Sequence, residues 1–543
     1  MNRTKCLLIL LIVGCSEPAV EQTSKSPENS KRWFVDEAEQ MHVAIPWVSG
    51  DSGEFNMPEI IGGGGAVLDY DKDGDLDLYI VQGGSLSTDT TLSNKLYRND
   101  DAKFTDVTDS SGTGDLGYGM GVATGDYNND GFVDLYVTNV GPNVLLKNNG
   151  DGTFSDVTEI AGVGDEGWGA STVFADFDQD GDLDLYVINY LVWSYGLELT
   201  CYNEKGLQDY CSPTNYMAPA RDTLYQNNGD GTFTDVSESA GLGSRFGTGL
   251  GVLCQDYTGD GLVDIFVAND GMPDQLWLNK GDFTFVDVAP LRGCALDDEG
   301  IAKAGMGVTT DDFDFDGDFD IIVCNLTGES DSLYRNDGEF FTDVTAKHGI
   351  RTSTRHATRF GLGLVDFDND GFLDLFEANG RVQQIGSPYG EDPFAEPNHL
   401  LKGSMAGWRV VHDDAVKDIA TSRGAVFADF NNDGKMDVYV INRDEQSQLL
   451  VNVHDNAHQF AQLEVLNSNG APALGAIVQC EVGDHTVTKS VQTAYSYLTA
   501  NDPRVHIGLG EERQLLNVTI QWIDGGRTNF GDLEAGQHRL QQP

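Results

Sequence analysis

Five aspartates crowd into nine positions at the start of "DYDKDGDLDLYI", Asp69 to Ile80, which then turns into an apolar run. Carboxylates held a few ångströms apart repel one another, and their pKa values rise unless something positive sits between them. A cation is the simplest remedy. Asp69, Asp71, Asp73 and Asp77 fall at positions 1, 3, 5 and 9, and Gly74 supplies the sharp turn at position 6. The main-chain carbonyl of Asp75, at position 7, completes a set of hard oxygens suited to calcium, whereas magnesium prefers a tight octahedron and keeps several waters. An EF-hand opens in the same way but closes with a bidentate Glu at position 12 between two helices. Here position 12 is Ile80, and "DLDLYIV" has β-branched and aromatic residues without a helical period. The loop therefore opens into a buried strand.

The pattern recurs six more times, and such recurrence is the first feature to weigh in a long chain. Loop two offers Asp126, Asn128, Asp130 and Asp134, with the carbonyl of Phe132; loop three offers Asp176, Asp178, Asp180 and Asp184, with that of Asp182. Loop four offers Asp256, Thr258, Asp260 and Asp264, with Leu262; loop five offers Asp312, Asp314, Asp316 and Asp320, with Asp318. Loop six offers Asp366, Asp368, Asp370 and Asp374, with Phe372; loop seven offers Asp429, Asn431, Asp433 and Asp437, with Lys435. Position 12 is apolar in every copy except the sixth, where it is Glu377. An isolated motif of this kind also occurs as a metal-free Asp/Asn turn. Seven copies in register, all with Asp at positions 1, 5 and 9, point instead to as many as seven Ca2+ ions.

Elements that position these loops keep step with them. Each loop leads into a strand such as "LYVTN" or "VYVIN"; a short strand ending in Asn follows, as in "LLKNNGDGTF" from Leu145, and then "FTDVT" or a close variant. A unit of several short strands with Gly- and Asn-rich turns, about 50 to 80 residues long, has the size of a propeller blade with insertions. The expected fold is all-β, a seven-bladed β-propeller over residues 33–456 followed by a small β domain over 457–543. A ring must join its ends, since an open edge strand invites other chains. "WFVDEA" from Trp33 has the form of the strand that the last blade lacks, so the N-terminal strand is expected to complete that blade.

The DxDxDG loops, their "GxG" lead-ins and their "DLYV" strands resemble FG-GAP/VCBS repeats, the calcium-loop blades also found in integrin α-subunit propellers. Further on, "SNGAPALGAIVQCEV" from Ser468, "AYSYLTANDPRVHIGLG" from Ala494 and "VTIQWIDGG" from Val518 are similar to the ASPIC/UnbV domain. The pairing resembles the family of cartilage acidic protein and its bacterial relatives, and it spans nearly everything from Trp33 to the end. The chain departs from that pattern at Thr258, which replaces an acid or amide, and at "WIDGG", where the family has Trp-Pro-Ser-Gly.

Lys and Arg total 33 against 87 Asp and Glu, a formal net charge of −54 that seven calcium ions would reduce but not cancel. Nucleic acid is excluded as a partner, because phosphate binding needs a basic face. "MNRTKCLLILLIVGC" has a basic start and an apolar run too short to span a bilayer, so residues 1–15 read as a signal peptide. Its end, "IVGC", resembles a bacterial lipobox. Cys15 would then carry lipid, residues 16–32 would form a polar tether, and the protein would sit in the bacterial cell envelope, anchored at the outer membrane or cell surface. Of the other cysteines besides Cys6, Cys201 and Cys211 flank a short segment and are expected to pair, as an exported protein allows. Cys254 and Cys324 lie in strand-like surroundings, where a thiol acts as a small apolar residue, and the pairing of Cys254, Cys294, Cys324 and Cys480 is open. No cysteine or histidine spacing suggests zinc.

No catalytic residue is assigned. His356, His399 and His506 lie near Arg or Asn, but none belongs to a nucleophile or metal motif. The favoured function is an exported, lipid-anchored calcium propeller that binds a protein or glycan ligand on the face away from its calcium loops. One alternative is an exported enzyme whose site at the channel mouth is built from the insertions at 194–221 and 381–399. The other is a scaffold within a cell-surface assembly.

Overall fold

In the computed structural model, which describes residues 32–86, 92–386 and 389–543, each acidic loop joins the first two strands of a separate antiparallel sheet. The sheet of loop two shows the plan: Gly119–Gly125, Asp134–Asn139, Gly141–Asn148 and Phe154–Asp156 pair in sequence order. Its second strand, "DLYVTN", is buried throughout, which explains why it shows no polar alternation. The third strand ends at the Asn of the repeat, and the fourth is the "FSD" segment.

The sheet of loop six departs in detail. Its third strand is His399–Lys402 and its fourth Arg409–Val411, so His399 opens a sheet strand instead of ending the insertion at 381–399. In the sheet of loop seven the outer strand is Phe34–Asp36, paired antiparallel with Gln448–Asn452 and opposing Phe34 to Asn452. Two segments more than four hundred residues apart thus share one sheet, and the chain closes on itself.

First strands of successive sheets touch in a closed circuit, the one before loop seven, Ser422–Ala428, returning to Gly65–Leu68. Their glycines follow from this crowding. A Cβ at Gly307 would lie 1.8 Å from the carbonyl oxygen of Phe360 in the next sheet, a distance no side chain tolerates. An apolar core of Val67, Ile188, Leu250 and Phe360, among others, runs between the sheets.

C-terminal residues form two further sheets. Val505–Gly510, Gln459–Leu466 and Gly536–Gln541 make one; His485–Ser490, Ile477–Val482, Gln514–Gln521 and Arg527–Glu534 make the other. They pack around Leu463, Val478, Ile520 and Trp522. Between them, residues 491–502 leave the sheets and enter the middle of the circuit. Thr499–Ala500 pairs in parallel with Gly65–Leu68, so the sheet of loop one gains a fifth strand. Ser496 exchanges two main-chain hydrogen bonds with Val308, at 2.6 and 2.9 Å. The Leu498 amide donates to Ser171 Oγ at 3.2 Å, the Phe427 amide donates to Asn501 Oδ1 at 2.9 Å, and the fully buried Tyr497 donates its hydroxyl to the Ile61 carbonyl at 2.8 Å. Ser496 and Leu498 adopt left-handed φ of 76° and 60°, a strained backbone that persists only where its surroundings over-determine it.

Candidate metal centre

Each loop is held open by its own aspartates. The position 1 carboxylate turns back on the loop: Asp69 accepts the amides of Asp73 and Gly74, both at 3.1 Å, and Asp126 those of Asp130 and Gly131 at 3.1 and 2.9 Å. Position 9, the first residue of the second strand, accepts one amide from position 2 and one from the third strand. For Asp320 these come from Phe313 at 3.3 Å and Asn336 at 2.7 Å. The Asn side chain then reaches the preceding loop, as Asn336 Nδ2 does to the Tyr257 carbonyl at 3.1 Å. In the sixth sheet Gly403 replaces the Asn; its amide still bonds Asp374, at 2.8 Å, and the Trp408 indole donates to the Leu373 carbonyl within the same loop, as the Asn99 side chain does to Leu76 in loop one.

Position 3 completes the cluster with positions 1 and 9 in loops one, three and six, and with positions 1 and 5 in loop five; Asp73, Asp180 and Asp370 stand outside these groups. In loops one, three, five and six, three carboxylates each bring an oxygen within 4.8 Å of the others: Asp69, Asp71 and Asp77; Asp176, Asp178 and Asp184; Asp312, Asp314 and Asp316; Asp366, Asp368 and Asp374. Such groupings could hold a metal ion. Loops two, four and seven place Asn128, Thr258 and Asn431 at position 3, so they gather fewer carboxylates. At Thr258 the hydroxyl turns inward and donates to Asp256 Oδ1 at 3.3 Å.

Burial sharpens the electrostatics. It pushes the carboxyls of Asp77 and Asp320 up to about 9, those of Asp134 and Asp184 to about 8, and that of Asp264 to about 7. It raises Asp69, Asp126, Asp176 and Asp429 to about 6. Neighbouring aspartates add to burial in every case, although at Asp429 the Arg504 guanidinium opposes them, and added positive charge would relieve these carboxylates. Moreover, Asp71 Oδ1, Asp314 Oδ1 and Asp368 Oδ1, all at position 3, are buried without a hydrogen-bond partner. Buried carboxylate oxygens are normally paired, and oxygens orphaned at the centre of an acidic loop fit a cation.

One feature of loop six was invisible within the loop. Lys402, from the third strand, bonds Asp368 and lies 2.8 Å from Asp370, bringing its own positive charge to the cluster. Lys147 stands in the same register and lies 3.3 Å from Asp130 in loop two. Both precede the third-strand Asn or its replacement, so a repeat-by-repeat comparison of that column would have exposed them.

The remaining sequence candidates lie elsewhere. Cys201 and Cys211 form a disulfide across the insertion at 194–221, while Cys254, Cys294, Cys324 and Cys480 are free thiols. Cys15, the signal segment and all of the tether but Arg32 lie outside the described residues. His399 meets Glu377, the exceptional position 12 residue, with Nδ1 2.8 Å from Oε2, and burial lowers the imidazole to about 4. The neighbouring Asp331–Arg359 pair, at 2.8 Å, and Glu377 are fully buried and expose no atom to a substrate. His506 Nε2 lies 2.7 Å from Asn369 Oδ1 in loop six.

Four stretches of the chain, 69–137, 126–187, 256–323 and 312–377, match the FG-GAP-like repeat, and residues 466–542 match the ASPIC and UnbV model. The protein is thus an all-β chain with FG-GAP repeats and an ASPIC/UnbV domain, and it is homologous to cartilage acidic protein 1. It is 28% identical over 310 residues to the Xenopus tropicalis protein, covering 54% of this chain and 44% of that one. It is 27% identical over 313 residues to the Homo sapiens protein, covering 54% and 43%. The chain therefore spans less than half the length of these relatives. Among solved structures, an Agrocybe aegerita lectin that recognises non-reducing terminal N-acetylglucosamine superposes with a TM-score of 0.36 at 14% identity, covering 70% of this chain and 86% of the lectin. YCF48 bound to a D1 peptide gives 0.39 at 9% identity, covering 72% and 94%. Likenesses this distant carry nothing about activity.

Proposed function

We propose that this protein is a lipid-anchored, calcium-loaded seven-bladed β-propeller of the bacterial cell envelope that binds a protein or glycan ligand on the face opposite its calcium loops. The observation that carries the calcium reading is the set of orphaned carboxylate oxygens on Asp71, Asp314 and Asp368. Calcium would be held by positions 1, 3, 5 and 9 and the position 7 carbonyl, and would supply the positive charge that the raised carboxyl pKa values call for. The blades run from residue 33 to 456, with the ASPIC/UnbV-like domain over 457–543.

The choice of face rests on what covers each end. C-terminal sheets occupy the loop end, where Arg504 Nη1 donates to Asn432 Oδ1 at 2.6 Å. The other end carries the insertions, tied to the N-terminal segment through Tyr195 to Glu54 and Gln208 to the Glu54 carbonyl. There Tyr202, Leu207 and Met217 stand exposed on the disulfide-linked insertion. Aromatic and Met side chains on a rigid platform suit ligand recognition. No helix among the described residues is long and apolar enough to cross a membrane, and the proposed anchor is Cys15.

Affinity capture from the native envelope, with calcium and then with chelator, tests the function. Recovery of one protein or glycan that is lost on Tyr202→Ala with Met217→Ala supports this face; unchanged recovery places the ligand elsewhere.

A further inference from the structure

Position 4 of the acidic loops ligates nothing, yet it is where the loops meet the rest of the molecule. Asn129, Asn369 and Asn432 occupy it in loops two, six and seven, with left-handed φ of 56°, 56° and 55°. Their backbone lies between two ligand positions, so whatever fixes positions 3 and 5 also fixes the direction of the position 4 side chain. Each side chain then acts twice.

One set of contacts runs to the next loop. Asn129 Nδ2 donates to Asp182 Oδ1 at 2.6 Å, Asn369 Nδ2 to the Gly434 carbonyl at 3.2 Å, and Asn432 Nδ2 to Asp75 Oδ1 at 2.8 Å. The other set runs to the C-terminal sheets. Asn469 Nδ2 donates to Asn129 Oδ1 at 3.1 Å, His506 Nε2 lies 2.7 Å from Asn369 Oδ1, and Arg504 Nη1 donates to Asn432 Oδ1 at 2.6 Å. Main-chain approach is as close: Gly510 donates its amide to the Asn369 carbonyl at 2.8 Å, and a Cβ at Gly508 would lie 1.8 Å from Asp366 Oδ2. Asn469 Nδ2 and Gln462 Nε2 even touch position 1 carboxylates, Asp126 at 3.1 Å and Asp429 at 3.3 Å.

We infer that the loop end is a docking surface whose ligand is the chain's own C-terminal domain, and that calcium entry into loops two, six and seven tightens that docking. The inference rests on the calcium reading of the preceding section. The physical link is short. A bound ion would hold the loop backbone in the one conformation that aims the three asparagines at Asn469, His506 and Arg504. Without it, like charges repel and loosen the loop, at positions 1, 5 and 9 in loops two and seven and at positions 1, 3, 5 and 9 in loop six. Residues 491–502 enter the middle of the circuit from the same domain, so the state of the loops reaches the molecule's centre. By linkage, docking must tighten calcium by the factor by which calcium tightens docking.

Hydrogen exchange on the full-length protein at pH 7, with calcium and with chelator, tests this alongside calorimetric titration of calcium. Chelation should speed exchange of the Gly510, Leu498 and Phe427 amides by about tenfold or more, within the usual span of coupled sites, and leave the outer strand Arg527–Glu534 unchanged. The triple variant Asn129→Gly, Asn369→Gly, Asn432→Gly keeps the left-handed backbone and every metal ligand. It should bind the same number of ions, more weakly at three sites, and lose the calcium-dependent protection; if it fails to fold, Asn432→Gly alone should lose part of it. Calcium binding without any change in those amides overturns the coupling and spares the calcium reading. Full calcium-dependent protection in the variant overturns the role of position 4. No calcium heat at all overturns both readings together.

Discussion

Asp77 and Asn99 fasten the first loop: Oδ1 of Asp77 accepts the Asn99 amide at 2.8 Å, and the Asn99 side chain donates to the Leu76 carbonyl at 3.1 Å and to the Phe430 carbonyl of the preceding loop at 3.0 Å. The same pair recurs as Asp134 with Asn148 and Asp437 with Asn452. One asparagine thus fastens its own loop to its neighbour's.

Replacing such an asparagine should loosen the whole circuit. Asn148→Ala removes the side-chain bonds to the Tyr70 and Val133 carbonyls, at 2.9 and 3.2 Å, the first of them buried. The expected cost is about 1–3 kcal/mol, measured as a fall in the urea midpoint at constant slope. An unchanged midpoint would show that water replaces the amide.

Calcium and protons should compete for the same carboxylates. Folding without metal raises Asp69 to about 6 and Asp77 to about 9 from an ordinary 3.8, so the folded state binds protons more tightly than the unfolded one. These groups therefore favour the metal-free fold below about pH 4, and that contribution is lost as pH rises to about 9. Binding to the folded state alone contributes about 2.7 kcal/mol per site at a hundredfold excess over Kd. The gap in melting temperature between calcium and chelator should widen from pH 5 to pH 8, and a gap that narrows would sink the metal assignment.

The number of oxygens free to bind, together with the charge of the whole neighbourhood, should order the sites. Loop four, with Thr258 at position 3, should empty first on calcium dilution, and Thr258→Asp should tighten it. Loop six has four side-chain carboxylates but also Lys402. Lys402→Met should tighten loop six by about tenfold, equivalent to about 1.4 kcal/mol. Calorimetry on both variants settles the order; weaker binding in Lys402→Met would mean that the ammonium holds the loop in its binding shape.

Tyr497 ties the C-terminal segment to the centre. Tyr497→Ala should destabilise the fold by about 3–5 kcal/mol through the cavity it leaves against Phe360, whose ring centroid lies 4.8 Å away. Tyr497→Phe, which loses only the bond to Ile61, should cost about 1 kcal/mol. Equal effects in the two variants would assign the stabilisation to the hydroxyl.

Cys15→Ser should release the protein from the membrane pellet without lowering its melting temperature, because one lipidated residue is the proposed anchor. Retention in the pellet would reject that anchor or reveal a second one.

The residues themselves determined the repeated parts. Aspartates at positions 1, 3, 5 and 9 with Gly at 6 dictate a loop, the "DLYV" run dictates a buried strand, and "NNGDGTF" dictates the turn between the third and fourth strands. These are local patterns, repeated often enough for each copy to corroborate the others. Pairing of Phe34–Asp36 with Gln448–Asn452 was legible too, because one end carries a surplus strand of the type the other end lacks. Tertiary structure alone decided what comes together from unrelated parts of the chain. Lys402 reaches Asp368 only because the third strand lies beside the loop, and Glu377 finds His399 only across neighbouring strands. The packing of residues 491–502 inside the circuit has no periodic signature. It depends on a gap shaped by first strands drawn from seven separate sheets, and such a gap exists only once those sheets have assembled.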